Sequence, residues 1–413
     1  MNKFLNEFKD RGYFYQCTNE DELSNLLNNK KIQAYIGFDS TASSLHVGSL
    51  MQIMCLKLLQ KHGHRPIVLL GGGTTRIGDP SGKEETRKIL SEKQIESNIK
   101  NIEKIIKIFL KTNNPKLKPI FVNNYKWLGK LNYIKFLRDI GKHFTINKML
   151  SFESVKLRLE REQSLSYMEF NYMILQAYDF LELNKNKNCM LQIGGSDQWG
   201  NIINGVELIK RHSNKQVYGL TTPLITLASG TKMGKTEKGA VWLDKKLLSP
   251  YDYFQFWRNT DDRDVIKFLK MFTDLEISEI DRIKKNNIND LKVILAKEAT
   301  KMLHGENETS KAYKTSVSIF VERKLENYDQ LPTIKVKKDD AKKGISILDL
   351  VIKSKLLKSK SEVRRAIKDK GIKIDDKAIE SDNFFVNLIN FKNLDLMKLS
   401  HGKKNHVIIK LIN

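Results

Sequence analysis

Apolar positions change their spacing several times along the chain. In residues 1–31 they fall at helical intervals, with Phe4, Leu5 and Phe8, then Leu23, Leu26 and Leu27, which predicts two amphipathic helices joined by a turn. Ile32, Ala34, Ile36 and Phe38 then form an apolar strand that bends at Gly37 and through a polar turn. A helix opens at His46 and Gly48 and runs to about Gly63. Arg65–Leu70 is a short apolar run suited to a strand buried on both faces, and it empties into the glycine-rich stretch 71–83. A helical stretch over 84–113, a strand at Pro119–Val122 and a helix-rich segment at 125–165 follow. Further on, the pattern predicts a helix over Tyr167–Leu183, a strand over Cys189–Ile193 and a last strand over Tyr218–Leu227. Strands alternating with helices indicate an α/β parallel sheet with ligands at its carboxyl edge. From Ser249 and Pro250 the pattern is helical without strands.

Four parts follow from these changes. Residues 1–226 form the α/β part, and 227–248 a glycine-flanked loop and connection. Residues 249–330 are all-α. The polar, lysine-bearing stretch 331–344 is expected to be a linker, and Ile345–Asn413 a small α+β unit.

Composition narrows the partners. The 413 residues carry a net charge of +24, which suits a polyanion. Residues 345–413 hold fifteen Lys and Arg against eight Asp and Glu, with Lys360, Arg364, Arg365 and Lys368 on one amphipathic helix. Phosphate-binding faces have this form, and so do solvated ones. Cys17, Cys55 and Cys189 lie far apart, which favours a reducing, cytoplasmic setting over a disulfide frame or a structural metal. His62 and His64 lack a third ligand nearby. No apolar run is long enough for a membrane span, and the amino-terminal stretch lacks the apolar core of a signal peptide.

Three stretches carry candidate chemistry. The helix opening at His46 presents unpaired N–H groups and a partial positive charge, as a phosphate requires. Lys232 and Lys235 stand three apart in the loop Leu227–Thr236, where two ammonium groups can follow charge moving onto a triphosphate's leaving oxygens. The glycines at 71–82 refuse a Walker loop, because Gly78 and Gly82 are separated by three residues and Glu84 follows Lys83. Tyr172, Gln176 and Asp179 share one helix face. That face either meets solvent or lines a polar pocket. Asp197 either caps the helix expected from Gln198 or meets a ligand hydroxyl.

His46–Ser49 and Lys232–Thr236 resemble the "HIGH" and "KMSKS" elements of class I aminoacyl-tRNA synthetases, and Leu191–Asn201 resembles a run of their bacterial-type tyrosyl members. The likeness spans nearly the whole chain. It implies a Rossmann-like catalytic domain with a dimer-forming insertion near 125–165, an anticodon-stem-contacting helical domain and an RNA-binding domain of the S-four type. It implies a cytoplasmic homodimeric tyrosine–tRNA ligase that takes L-tyrosine, ATP with Mg2+, and tRNA(Tyr), with no resident metal. Tyr35 and Asp179 would meet the phenolic hydroxyl, while Asp79, Tyr172 and Gln176 would hold the ammonium and Gln198 would lie beside the carboxylate. Gly37, Asp39, Gly48, Ser49, Gly195, Asp197 and Thr236 would contact the nucleotide. Thr41, His46, Lys83, Arg87, Lys232 and Lys235 would serve the phosphates, and Lys360, Arg364, Arg365 and Lys368 the tRNA.

The sequence departs from the family pattern at four positions. Ser49 replaces a second histidine, Ile36 a cysteine found in some members, and Gly234 and Thr236 two serines. A tryptophanyl relative, or a non-catalytic RNA-binding one, would share the fold. Tyr35 with Asp179 argues against the first, and the intact Lys232, Lys235, Asp79 and Asp197 against the second.

Overall fold

A computed structural model of the chain describes residues 2–79, 90–231, 233–236, 239–318, 331–391, 395–402 and 405–412. The chain divides into two compact units, Met1–Thr309 and Ser310–Asn413.

The first unit is built on a six-stranded sheet. Its strands are β1 (Gln16–Cys17), β2 (Gln33–Asp39), β3 (Arg65–Gly71), β4 (Ile120–Asn123), β5 (Cys189–Gly195) and β6 (Tyr218–Thr222), in the spatial order β1-β6-β5-β2-β3-β4. All neighbours are parallel except β1, which lies antiparallel on β6 at the edge. This two-residue strand has no apolar periodicity of its own, so the sequence pattern passes over it. β6 also stops at Thr222 rather than Leu227, because Pro223 has no N–H to continue the ladder.

Apolar runs bury β2 and β3 on both faces. Ala34, Ile36, Ile67 and Val68 are almost wholly inaccessible, as a parallel strand covered by helices on both sides requires. The helices Tyr172–Lys187 and Trp199–Ser213 pack beside β5, and each ends at an asparagine in the left-handed region, Asn188 at φ 50° and Asn214 at φ 49°. Asn tolerates that conformation better than bulkier residues do. The helix Glu92–Phe109 starts at a capping box formed by Ser91 and Gln94, and the part of the expected helix before Leu90 lies outside the described residues. Strand order reverses direction between β2 and β5, so a crevice opens at their carboxyl ends.

The helices from Pro250 onward belong to this same unit as far as Thr309, four residues past the break at Gly305 (φ 82°, ψ 170°) within Ile288–Val317. Trp257, Phe268 and Phe272 pack ring against ring in their core. Arg11, nearly buried, joins the amino-terminal helix Lys3–Asp10 to them. Its guanidinium donates to the carbonyls of Lys270, Thr273 and Leu275 and pairs with Glu7.

The second unit corrects the expected linker. Thr333–Lys337 is a strand, parallel to Asn405–Ile412, and the helix Lys338–Lys343 follows it. Val336 and Ala341 are buried in a core with Ile347, Leu350, Val363 and Met397. Ile334 and Val336 alternate with exposed polar residues, a half-buried strand whose period is easily lost among so many lysines. The sheet is completed by Lys377–Ala378, Ile372–Ile374 and Leu396–His401.

Candidate active site

The carboxyl ends of β2, β3 and β5 open into one cavity of about 430 Å³. Its lining includes Tyr35, Gly37, Asp39 and Thr41 from β2 and its turn, and His46, Gly48 and Ser49 from the next helix. Asp79, Tyr172, Gln176, Asp179, Gly195, Asp197 and Gln198 complete this set. Fourteen positions singled out in the sequence therefore face a single space.

One end is buried and brings a phenol and a carboxylate together in the same lining. The Tyr35 ring packs against Phe180 at 5.3 Å between centroids. Its hydroxyl is buried and has no hydrogen-bond partner among the described residues. Asp179, 1 % exposed, accepts from Asn124 Nδ2 at 2.9 Å and from Trp127 Nε1 at 2.7 Å. Burial pushes its carboxyl up to about 7, the two donors pull against that rise, and the neighbouring Asp39 adds to it. Burial, followed by the Asp179 charge, raises the Tyr35 phenol well above its ordinary value. The helix-face stripe is thus turned inward, with Asp179 at its deep end.

The middle of the cavity is acidic. Asp39 accepts from Tyr172 Oη at 3.1 Å and from Thr74 Oγ1 at 2.8 Å. Asp79 accepts from Gln198 Nε2 at 3.0 Å, and Asn201 Nδ2 donates to both Gln176 Oε1 and Gln198 Oε1 at 3.1 Å. Carboxylates braced in this way suit a ligand ammonium. Asp39, expected from the resemblance to contact the nucleotide, is here bonded to Tyr172, expected to hold the ammonium.

At the other end, the helix Val47–Lys61 begins with His46 as its cap. His46 Nδ1 accepts from the Gly48 amide at 3.0 Å, so in the neutral ring the proton resides on Nε2 and can be donated to an oxygen. Trp242 stands edge-on to the imidazole at 6.2 Å. A Cβ on Gly48 would lie 2.6 Å from His46 Cε1 and 3.0 Å from the Met233 carbonyl, so the glycine is required by the protein's own packing. Asp197 is not the cap of the helix Trp199–Ser213. Gln198 holds that position without a side-chain bond, and Asp197 lies in a 3₁₀ turn with a carboxylate oxygen close over Gly195.

Sequence reasoning missed Thr74, Asn124 and Trp127, which orient the two aspartates. Asn124 and Trp127 follow β4 at the carboxyl edge of the sheet, a position that could have singled them out. Lys83, Arg87 and Lys232 lie outside the described residues. Lys235 and Thr236 form a short strand paired with Gly239–Ala240. In the second unit, Lys360, Arg364, Arg365 and Lys368 are exposed on one face of the helix Lys360–Lys368, with Lys360 paired to Asp349 and Arg364 to Asp382.

The family described as tRNA synthetases class I (W and Y) matches residues 27–321. A Pelagibacter ubique protein named tyrosine–tRNA ligase is 70 % identical over 412 residues, covering 100 % of both chains. The chain belongs to the class I tRNA synthetases, in their bacterial-type tyrosyl branch. A Rickettsia africae protein of the same name is 49 % identical over 99 % of this chain and all of its own. Among solved structures, a C-terminally truncated mitochondrial tyrosyl-tRNA synthetase of Aspergillus nidulans superposes with TM-score 0.70 at 30 % identity, covering 77 % of this chain and 94 % of that one. A tyrosyl-tRNA synthetase of Archaeoglobus fulgidus, solved with L-tyrosine, shares the fold at TM-score 0.56 and 17 % identity over 75 % of this chain and 99 % of its own.

Proposed function

We propose that this chain is a tyrosine–tRNA ligase whose two reactions take place in the described cavity. In the first, a carboxylate oxygen of L-tyrosine attacks the α-phosphorus of ATP. The bond to the bridging oxygen breaks and pyrophosphate leaves. In the second, a terminal ribose hydroxyl of tRNA(Tyr) attacks the acyl carbon of tyrosyl-adenylate, and AMP leaves. The substrates supply both nucleophiles, so the protein's task is alignment and charge stabilisation.

The observation that carries this reading is the buried Tyr35 hydroxyl, without a hydrogen-bond partner among the described residues, in the same cavity as the Asp179 carboxylate. A phenol bridging the two would place its amino-acid end among Asp39, Asp79, Tyr172, Gln176 and Gln198. Its carboxylate would then face the nucleotide set of Gly37, Gly48, Ser49, Gly195 and Asp197. Thr41 and His46 would take the γ-phosphate side. Lys83, Arg87, Lys232 and Lys235 would neutralise the departing pyrophosphate, and Thr236 would join the nucleotide contacts. Magnesium enters with the triphosphate, as is usual for an ion that keeps most of its water.

The helix carrying Lys360, Arg364, Arg365 and Lys368 is assigned to tRNA, in an RNA-binding domain of the S-four type, and the helices after Pro250 to the anticodon stem. Exposed Tyr133, Ile134, Ile146 and Leu150 support a homodimer through the insertion at 125–165. No helix among the described residues is long and apolar enough to cross a membrane, and three unpaired cysteines fit a reducing cytoplasm.

Pyrophosphate exchange tests the reading. Tyrosine-dependent exchange is expected. Exchange that depends on tryptophan, or none with either amino acid, would overturn it.

A further inference from the structure

The loop that carries Lys235 is gripped at its base by the helical region. Its backbone folds on itself, with Leu227 N–H donating to the Thr231 carbonyl at 2.8 Å and Met233 N–H to the Ile225 carbonyl at 3.1 Å. Two bonds reach this base from outside. Asp264, 5 % exposed, accepts from Ala228 N–H through Oδ2 at 2.7 Å, and Lys267 Nζ donates to the Thr226 carbonyl at 3.1 Å. Both residues lie where the helix Val265–Phe272 begins, far along the chain from the loop and outside the cavity lining.

The far side of the loop leans on the phosphate end of the site. Gly234 (φ 95°) sits so close to His46 and Gly48 that a Cβ would come within 2.9 Å of His46 Nδ1 and 3.0 Å of the Gly48 nitrogen. The stretch after Gly239–Ala240 is tied to the same turn, with Val47 N–H donating to the Val241 carbonyl and Leu243 N–H to the Leu45 carbonyl, both at 2.9 Å. The loop thus has one fixed shoulder at Asp264 and another at His46. A buried carboxylate on a backbone amide is a strong, directional tie, and losing it orphans the amide as well.

We infer that Asp264 and Lys267 are positioning residues for adenylate formation, holding the loop base so that its lysines meet the triphosphate as pyrophosphate departs. The inference rests on the reading that Lys235 serves the departing pyrophosphate, and it adds a route by which the helical region bears on that step.

The test is tyrosine-dependent pyrophosphate exchange in a double-mutant cycle on the full chain. Asp264→Ala should lower kcat about 10- to 100-fold, the range of a lost charge-assisted hydrogen bond, with the KM for tyrosine within about twofold. Asp264→Asn keeps an acceptor and should recover most of the loss. In a Lys235→Ala background, Asp264→Ala should add less than about twofold, because residues acting as a unit are not additive. Full additivity, or a parallel rise in tyrosine KM, would show a merely structural role and overturn the inference. If Lys235→Ala alone leaves exchange unchanged, the reading of the loop itself fails. Should Asp264→Ala not fold, Lys267→Met in the same cycle gives the same decision, with an expected loss of about 2- to 5-fold for a partly exposed bond.

Discussion

Asp179 is held in an unusual balance. It is buried deeply enough to raise its carboxyl to about 7, yet it is given two donors that favour the ionised form. In the proposed complex, the substrate phenol would donate to that form. Tyrosine affinity should therefore weaken as pH falls through about 7, by up to about tenfold per unit below the midpoint, while any phenylalanine activation stays flat. Trp127→Phe removes one donor and keeps the ring, so the midpoint should move upward. A downward shift in tyrosine-binding titrations would contradict the assignment. Asp179→Ala should cost tyrosine activation about 100-fold, the scale of a lost bond to a charged group, with little change for phenylalanine. Equal losses for the two amino acids would remove Asp179 from hydroxyl recognition.

At the scale of elements, the amino-terminal helix is bound by polar ties rather than by apolar packing alone. Arg11 spends its donors on Glu7 and three carbonyls of the helical region, and Tyr13 Oη donates to the Met271 carbonyl at 2.6 Å. Arg11→Ala takes its donor from the three carbonyls, while Glu7 keeps Lys61 and His62. The substitution should destabilise the first unit by about 1–3 kcal/mol, read as a fall in denaturant midpoint. Elements with a long, regular period are legible in the sequence: the stripe Tyr172–Gln176–Asp179 and the apolar runs of β2 and β3 declare themselves by spacing. Short elements are not. Gln16–Cys17 has too few residues to show a period, and Thr333–Lys337 hides Ile334 and Val336 among lysines. Asn124 and Trp127 escape for another reason: their importance comes from Asp179, which only the tertiary fold brings to them.

For the whole molecule, the two units carry different work in the proposed reaction. A chain ending at residue 318 should keep tyrosine-dependent exchange within about threefold and lose charging efficiency by about 100-fold, the effect of removing several phosphate contacts. Charging kinetics equal to those of the full chain would move tRNA recognition out of the second unit. A cut at residue 344 would strand Thr333–Lys337 without its partner and expose a β edge, so that variant should precipitate more readily.

The strand Thr333–Lys337 has another consequence, for the order of events during synthesis. Its hydrogen-bonding partner, Asn405–Ile412, leaves the ribosome some seventy residues later. The sheet of the second unit cannot close until that segment emerges, whereas every strand of the first unit's main sheet is already free by then. On the proposed assignments, a nascent chain would therefore complete its tyrosine and ATP site well before the helix Lys360–Lys368 could meet tRNA.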